Sequence, residues 1–203
     1  MTTVTAPMTK LDAVNMMLTS IGQAPVNTLS VSGIRDVEIA ELALDNATRE
    51  VLSRGWSFNT DEEYTLSPDG SDNVLVPATA LQVDPTANYK RYVIRDNSDT
   101  LMMWDKEDHT FTITDDVDCD IIWAFEFEKI PQVARNYIAT KAARLFQANI
   151  IGSDILFKYT ELHEREAYAT FKKSEANTKD RNMLTSGAEV NRIFGRRSNP
   201  TRY

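Results

Sequence analysis

Carboxylates are the most abundant reactive groups in this 203-residue chain, and many stand in runs: Asp61-Glu62-Glu63, Asp105 to Asp108, and Asp115 to Asp120. Closely spaced carboxylates can hold a hard cation such as calcium, or act as an acid and base pair in glycoside hydrolysis. A calcium loop needs Asp-x-Asp-x-Asp-Gly with a distal Glu, and none of the runs has that pattern. The runs read instead as solvated strand ends and turns. Sequence does not give carboxyl separations in space, and 30 acidic residues guarantee chance pairs. A polysaccharide or cell-wall hydrolase using paired carboxylates is therefore carried forward as the alternative function.

Other chemistry finds little footing. His109 and His163 lack zinc spacing. Cys119 is the lone cysteine and has no local nucleophile signature, so no intrachain disulfide forms within the chain. Gly-x-Ser-x-Gly is absent, and with seven glycines there is no phosphate-cradling loop. No catalytic, cofactor-binding or metal-ligating residue is assigned, and no cofactor is expected. The net charge of −8 argues against a general DNA binder and suits a conduit that repels the phosphate backbone. The start, MTTVTAPMTK, lacks a basic region followed by an apolar one, and no apolar run approaches the roughly 20 residues of a bilayer span. Assembly in the cytoplasm, without a membrane partner, is the expectation.

The spacing of apolar residues predicts four helices. Thr9 and Asp12 form a capping-box-like pair after ten residues that read as a loose arm. Leu11, Val14, Leu18 and Ile21 make the first stripe, which Gly22 ends, and Pro25 lies in the connector that follows. Asp36 is a plausible cap for the second helix, whose stripe is Val37, Ala40, Leu44, Ala47 and Val51, with Gly55 as its stop. Trp56 and Phe58 then fold back as core anchors. A third helix opens with Pro131 at its first position; Ala134, Ile138, Ala142 and Leu145 form its stripe, flanked by Tyr137 and Phe146. Gly152-Ser153 ends it and caps the fourth, where Ile155, Tyr159, Leu162 and Ala169 supply a thinner apolar face.

Between the second and third helices the period shortens. Candidate strands are 56–66, 73–77, 89–95, 100–104, 110–114 and 120–127, with Ser67-Pro68-Asp69-Gly70, Asp84-Pro85, Asp96 to Asp99 and Asp115-Asp116 as turns. The run Ile121 to Phe127 is the expected inner strand, buried on both faces. The fold class is α+β: a four-helix bundle over 9–55 plus 130–181, a β-rich insertion over 56–129, and an extended arm over 182–203. That arm holds Arg192, Arg196, Arg197 and Arg202 against Glu189 alone. It reads as a solvated tail or as an arm that orders on a partner. Ile193, Phe194 and Tyr203 among the arginines favour the arm.

Three stretches carry a family resemblance: Ser20-Ile21-Gly22-Gln23-Ala24-Pro25-Val26-Asn27-Thr28-Leu29, Ser53-Arg54-Gly55-Trp56-Ser57-Phe58-Asn59, and Ile130-Pro131 with Ala134 through Phe146. In order and spacing the chain resembles the tail tubular protein A family of short-tailed bacteriophages across roughly 11–150. The resemblance implies a ring, usually of twelve subunits, joining the portal to the tail nozzle protein (tail tubular protein B). It implies tail fibres seated nearby and double-stranded DNA passing through the lumen without sequence-specific binding. It implies a place in the virion tail. Gly22, Pro25, Gly55, Trp56, Phe58, Pro131 and Gly152 are the expected structural anchors. The contacts to portal or neighbouring subunit are then expected from Arg192, Ile193, Phe194, Arg196, Arg197 and Tyr203.

Overall fold

The computed structural model describes residues 6–30, 35–86 and 91–178, and of Asp154 and Ile155 the backbone alone. It is an α+β fold in which two helices precede five strands and two helices follow them. Helix α1 spans Lys10–Ser20 and starts with a full capping box. The Thr9 hydroxyl accepts from the Asp12 N–H, and the Asp12 carboxylate accepts from the Thr9 N–H at 2.9 Å. Asp is thus long enough for the reciprocal bond. Those bonds, from the Thr9 N–H first and its hydroxyl second, hold the Asp12 carboxyl below its usual range. Ala13, Val14, Met17 and Leu18 are buried, while Leu11 and Ile21 are half-buried.

The segment before α1 is not a loose arm over the residues described. The Met8 N–H donates to Gln132 Oε1 at 2.7 Å, the Met8 carbonyl accepts from Arg135 at 2.6 Å, and the Lys10 N–H donates to Glu128 at 3.1 Å. These partners stand more than a hundred residues away in the chain, so no local pattern reveals them.

Helix α2, Arg35–Leu52, buries all of Val37, Ala40, Leu44, Ala47 and Val51. Asp36 lies inside its first turn, two places too late to cap it. Helix α3, Gln132–Ile150, starts one residue after the sequence expectation. Pro131 has an extended ψ of 142°, so it is the cap and not the first helical residue, and its carbonyl accepts the first helical bond from Arg135. Ala134, Tyr137, Ile138, Ala142 and Phe146 are buried, with Leu145 only half-buried. The helices gather about α3, which packs against each of the other three.

Helix α4, Asp154–Thr178, turns a different face inward from the expected one. Ala167 and Phe171 are its buried side chains, whereas Tyr159 and Leu162 are 65% and 53% exposed and Ala169 is exposed. The side chain of Ile155 lies outside the described residues. The helix carries two apolar stripes, and the core takes the one whose Phe171 reaches the aromatic ring of Trp56.

The strands are β1 (Thr60–Leu66), β2 (Ala80–Pro85), β3 (Tyr92–Asn97), β4 (Thr100–Asp105) and β5 (Val117–Trp123). An antiparallel sheet has the order β1-β5-β2, and β3 pairs with β4 as a separate hairpin. β5 is the inner strand, but it alternates: Val117, Cys119 and Ile121 are buried and Asp118 is exposed, so only one face is fully covered. That face joins Leu66, Val74, Met103 and Ile113 in a second apolar cluster. β2 is absent from the sequence expectation because Asp84-Pro85 reads as a turn. Pro85 ends an edge strand, where its missing N–H costs no interior ladder bond. The expected strands at 73–77 and 110–114 reduce to isolated bridges, Asn73 with Thr112, Leu75 with Met102 and Asp105 with Thr110. Residues 124–127 leave the sheet, and Phe127 enters the helical core.

Gly55 sits between the two clusters at a left-handed φ of +68°, and a Cβ there would stand 2.9 Å from Ile122 Cδ1. Such a backbone costs a non-glycine residue about 1–2 kcal/mol. Gly55→Ala should destabilise the fold by at least that much, read as a lowered denaturation midpoint. Gly22→Ala, at φ +80° with nothing within 4 Å of its Cβ, should lose less. Ile122→Val in the Gly55→Ala background should recover part of the loss. Equal midpoints for Gly55→Ala and wild type would refute the account.

Candidate functional site

The end of α2 turns through Ser53 to Asn59 before entering β1, and this turn is where the elements meet. Asn59 is 1% exposed. Its Nδ2 donates to the Leu52 carbonyl at 3.0 Å and to the Trp123 carbonyl at 2.9 Å, and its Oδ1 accepts from the Trp56 N–H at 2.9 Å. The last carbonyls of a helix lack intrahelical partners, so the amide closes α2 while tying it to the end of β5. Trp56 donates its indole N–H back to the Val51 carbonyl at 2.7 Å. Its ring lies 4.4 Å from that of Phe171, and Tyr137 stacks on Phe171 from α3 at 5.8 Å. Ser57 completes the join: its N–H and hydroxyl each donate to Glu175 of α4 at 3.0 Å.

Charged groups reinforce the same helices. Lys141 is buried on α3 and reaches Glu50 of α2 at 2.5 Å. That hydrogen bond, working against burial, holds the Glu50 carboxyl below its usual range. Arg144 of α3 pairs with Glu164 of α4 and lies over the ring of Phe157 at 4.9 Å. Burial pushes the Tyr137 hydroxyl up.

The acidic runs are mostly at the surface, with one correction. Asp105 is only 2% exposed. It accepts from the Glu107 and Asp108 N–H groups at 2.8 and 3.2 Å and from Arg91 Nε at 2.6 Å. Burial acts to raise its carboxyl, but Arg91 and the turn N–H groups outweigh burial and hold it below the usual range. It is a turn-organising group and not a solvated end. Asp61 accepts from the Trp123 indole at 2.8 Å, Asp118 from the Thr65 hydroxyl at 2.7 Å, and Asp120 from the Glu63 N–H at 3.0 Å. Among the described residues no group of three His, Cys, Asp or Glu is placed to hold a metal ion. His109 and His163 are both exposed, on a turn and on α4. Cys119 is fully buried, and burial with Asp118, Asp120 and Asp84 pushes its thiol up to about 11. Among the described residues no helix is long and apolar enough to cross a membrane.

Of the residues singled out in the sequence, Gly55, Trp56 and Phe58 meet at the turn, and Phe58 lies 6.3 Å from Phe171. Gly22 and Gly152 have left-handed φ values of +80° and +67° at the ends of α1 and α3. Pro25 is exposed in the connector. Arg192, Ile193, Phe194, Arg196, Arg197 and Tyr203 lie outside the described residues. Sequence reasoning gave no role to Asn59, Phe171, Glu175 or Asn15. Asn15 holds the connector by two bonds to Val26, at 2.9 and 2.8 Å. A polar residue in an otherwise apolar stripe was the one available signal for it.

Several exposed apolar side chains lie where α3 passes into α4. Ile150, Ile151, Leu156, Phe157, Tyr159 and Leu162 are between 37% and 65% exposed. A family model described as tail tubular protein matches residues 11–181. Tail tubular protein A of Klebsiella phage KP34 is 28% identical over 148 residues, covering 72% of this chain and 76% of that relative. The matched span contains the turn, all five strands and all four α-helices but for the first residue of α1.

Trp56 is 8% exposed and fills the space between α2, α3 and α4. Trp56→Ala should destabilise the fold by about 3–5 kcal/mol, the range for truncating a buried aromatic side chain. Trp56→Phe keeps a ring against Phe171, losing the indole bond to Val51 and part of the buried volume, so it should cost less than alanine. A wild-type denaturation midpoint for the alanine variant would sink this reading.

Proposed function

The chain belongs to the tail tubular protein family, and we propose that it forms the ring-shaped adaptor joining the portal to the tail nozzle of a short-tailed phage. As a family member it is a structural protein of the phage tail. The family match over 11–181 is the observation that carries the proposal. In this reading the helices form a bundle (9–55 with 130–181), the strands are an insertion (56–129), and residues 182–203 are an arm. About twelve copies close a ring in the virion tail. It touches portal, nozzle protein and fibres, and lines a channel through which DNA leaves without being read. The mechanism is geometric. Each subunit meets its neighbours through unlike faces, the type of contact that closes rings. Weak contacts repeated around the ring sum to firm attachment.

The acidic balance of the chain supports a conduit, since carboxylates facing the lumen repel the phosphate backbone and leave DNA free to slide. No observation favours the hydrolase reading. Asp61, Asp105, Asp118 and Asp120 are engaged in local hydrogen bonds that account for their presence.

The arm is assigned contact with portal or neighbouring subunit through Arg192, Ile193, Phe194, Arg196, Arg197 and Tyr203. Arginines would meet carboxylates, and Phe194 would fill an apolar pocket. Deleting 182–203 should leave the melting curve near that of the full chain, while the truncated protein no longer co-sediments with portal rings. Normal co-sedimentation would refute the arm, and a collapsed melting curve would assign the segment to the fold instead.

A further inference from the structure

We propose that residues 192–199 dock as an added strand on the open edge of β1 of their own chain. β1 pairs with β5 on one side and, among the described residues, with no strand on the other. Its residues from Asp61 to Thr65 are all exposed, so both faces as well as the edge are open. An edge strand offers a row of unpaired N–H and C=O groups, and an extended segment can complete it. The other edge of the sheet, β2, is less open: β3 approaches it, and Pro85 closes its end.

Charge selects the occupant. The chain has no Lys or Arg from 55 to 86 or from 107 to 128, so every strand of this sheet lacks a cation. Asp61, Glu62 and Glu63 stand on β1, and Asp118 and Asp120 on β5 beside it. Among the described residues none of the five is paired with Lys or Arg. Asp61, Asp118 and Asp120 accept from the Trp123 indole, the Thr65 hydroxyl and the Glu63 N–H, neutral donors that leave their charge in place. Arg54 and Lys172 line the recess beside Gly55, ahead of the strand, and Arg54 is held by Glu50 at 3.3 Å. A second β1 edge would set like charges opposite one another, and DNA would be repelled. Residues 192–199 carry Arg192, Arg196 and Arg197 with no carboxylate, and run without proline up to Pro200, long enough to cover β1. Tyr64, 43% exposed and edge-on to Trp123 at 5.6 Å, gives Ile193 and Phe194 an apolar footing.

Reach favours the same chain. Glu175 accepts from Ser57, three residues before β1, so α4 brings the segment to the start of the strand. Residues 179–191 can span at most about 43 Å at about 3.3 Å each, and β1 is about 23 Å long. Such a tether keeps the segment at a far higher effective concentration at its own β1 than at a neighbour's in dilute solution. The inference concerns the free subunit and goes beyond the ring reading. Where that reading gives the same arginines to portal or neighbour, assembly has first to draw the arm off β1.

Hydrogen exchange on the full-length protein tests the docking without fixing a register. Amides of Thr60–Leu66 should exchange more slowly, by about tenfold or more, in the full chain than after deletion of 182–203, while those of α2 stay unchanged. Arg196→Glu with Arg197→Glu in the full chain should speed β1 exchange in the same way, and adding Glu62→Lys with Glu63→Lys should restore protection. Equal β1 exchange with and without the segment overturns the proposal, and so does charge reversal that leaves β1 exchange unchanged. Cysteine pairs then test that the edge belongs to the same chain. Glu62→Cys combined in turn with Arg192→Cys, Phe194→Cys and Arg196→Cys should close an internal disulfide in oxidised glutathione for at least one pair, at a rate independent of protein concentration. Leu162→Cys on α4 with the same partners should lag by about tenfold or more; Cys119 is buried and takes no part. Closure no faster than with Leu162→Cys overturns the proposal. So does a disulfide-linked dimer whose yield rises with concentration, which would put the segment on a neighbour's edge.

Discussion

A single side-chain amide, that of Asn59, determines how the helical and β-rich parts of this chain meet. It has three hydrogen-bonding sites engaged at once, by the carbonyl at the end of α2, the carbonyl at the end of β5 and the N–H of Trp56. The Leu52 carbonyl and the Trp56 N–H are buried at these bonds, and a buried polar group left without a partner costs about 1–3 kcal/mol. Other side chains of similar size do not reproduce the set, because it needs two donors and an acceptor on one planar group. Asp would present only acceptors to two carbonyls, and Leu would supply no partner to any of the three, leaving the Leu52 carbonyl only its bond from the Gly55 N–H. The geometry of the turn follows. Gly55 accepts the left-handed backbone and the approach of Ile122, Trp56 is aimed at Phe171, and Ser57 is aimed at Glu175.

Helices were more legible than strands because a stripe at 3.6 spacing is a local signal. Val37, Ala40, Leu44, Ala47 and Val51 could be read directly, and all are buried. Helix α4 shows the limit of the method. Its apolar residues fit two stripes, and periodicity does not say which one faces the core. The choice depends on Trp56, more than a hundred residues earlier, receiving Phe171. In the β region, alternation overstated 73–77 and 110–114, where only single bridges form, because a strand needs a neighbour at the right height as well as a suitable pattern. The turn vocabulary hid β2, since Asp-Pro breaks most strands but is tolerated at the end of an edge.

The polar pins were the least legible part. Asn15, Asn59 and Arg135 act on backbone groups that come near only after folding, and nothing in the neighbours of Asn59 and Arg135 marks them out. The same holds for Asp105, one of a run of acidic residues that looks uniform in the sequence. Its neighbour Asp108 is exposed, whereas Asp105 is buried by the turn it organises and by Arg91. Composition treats the two alike, and only the fold separates a charge that builds structure from one that faces solvent.

A protein that works by contact has to present its surfaces in fixed positions, and here the turn and the presented surface are mechanically linked. The second half of α4 is clamped by Phe171 against Trp56 and by Glu175 against Ser57, while its first half, with Tyr159 and Leu162 exposed, projects from that clamp. Arg144 braces the middle through Glu164 and Phe157. A helix held this way loses little further freedom when a partner arrives, so more of the contact energy appears as affinity. This is a physical reason for so elaborate a junction in a structural protein. The buried side chains of the turn set how rigidly α4 is held, and with it how firmly its exposed stripe is presented.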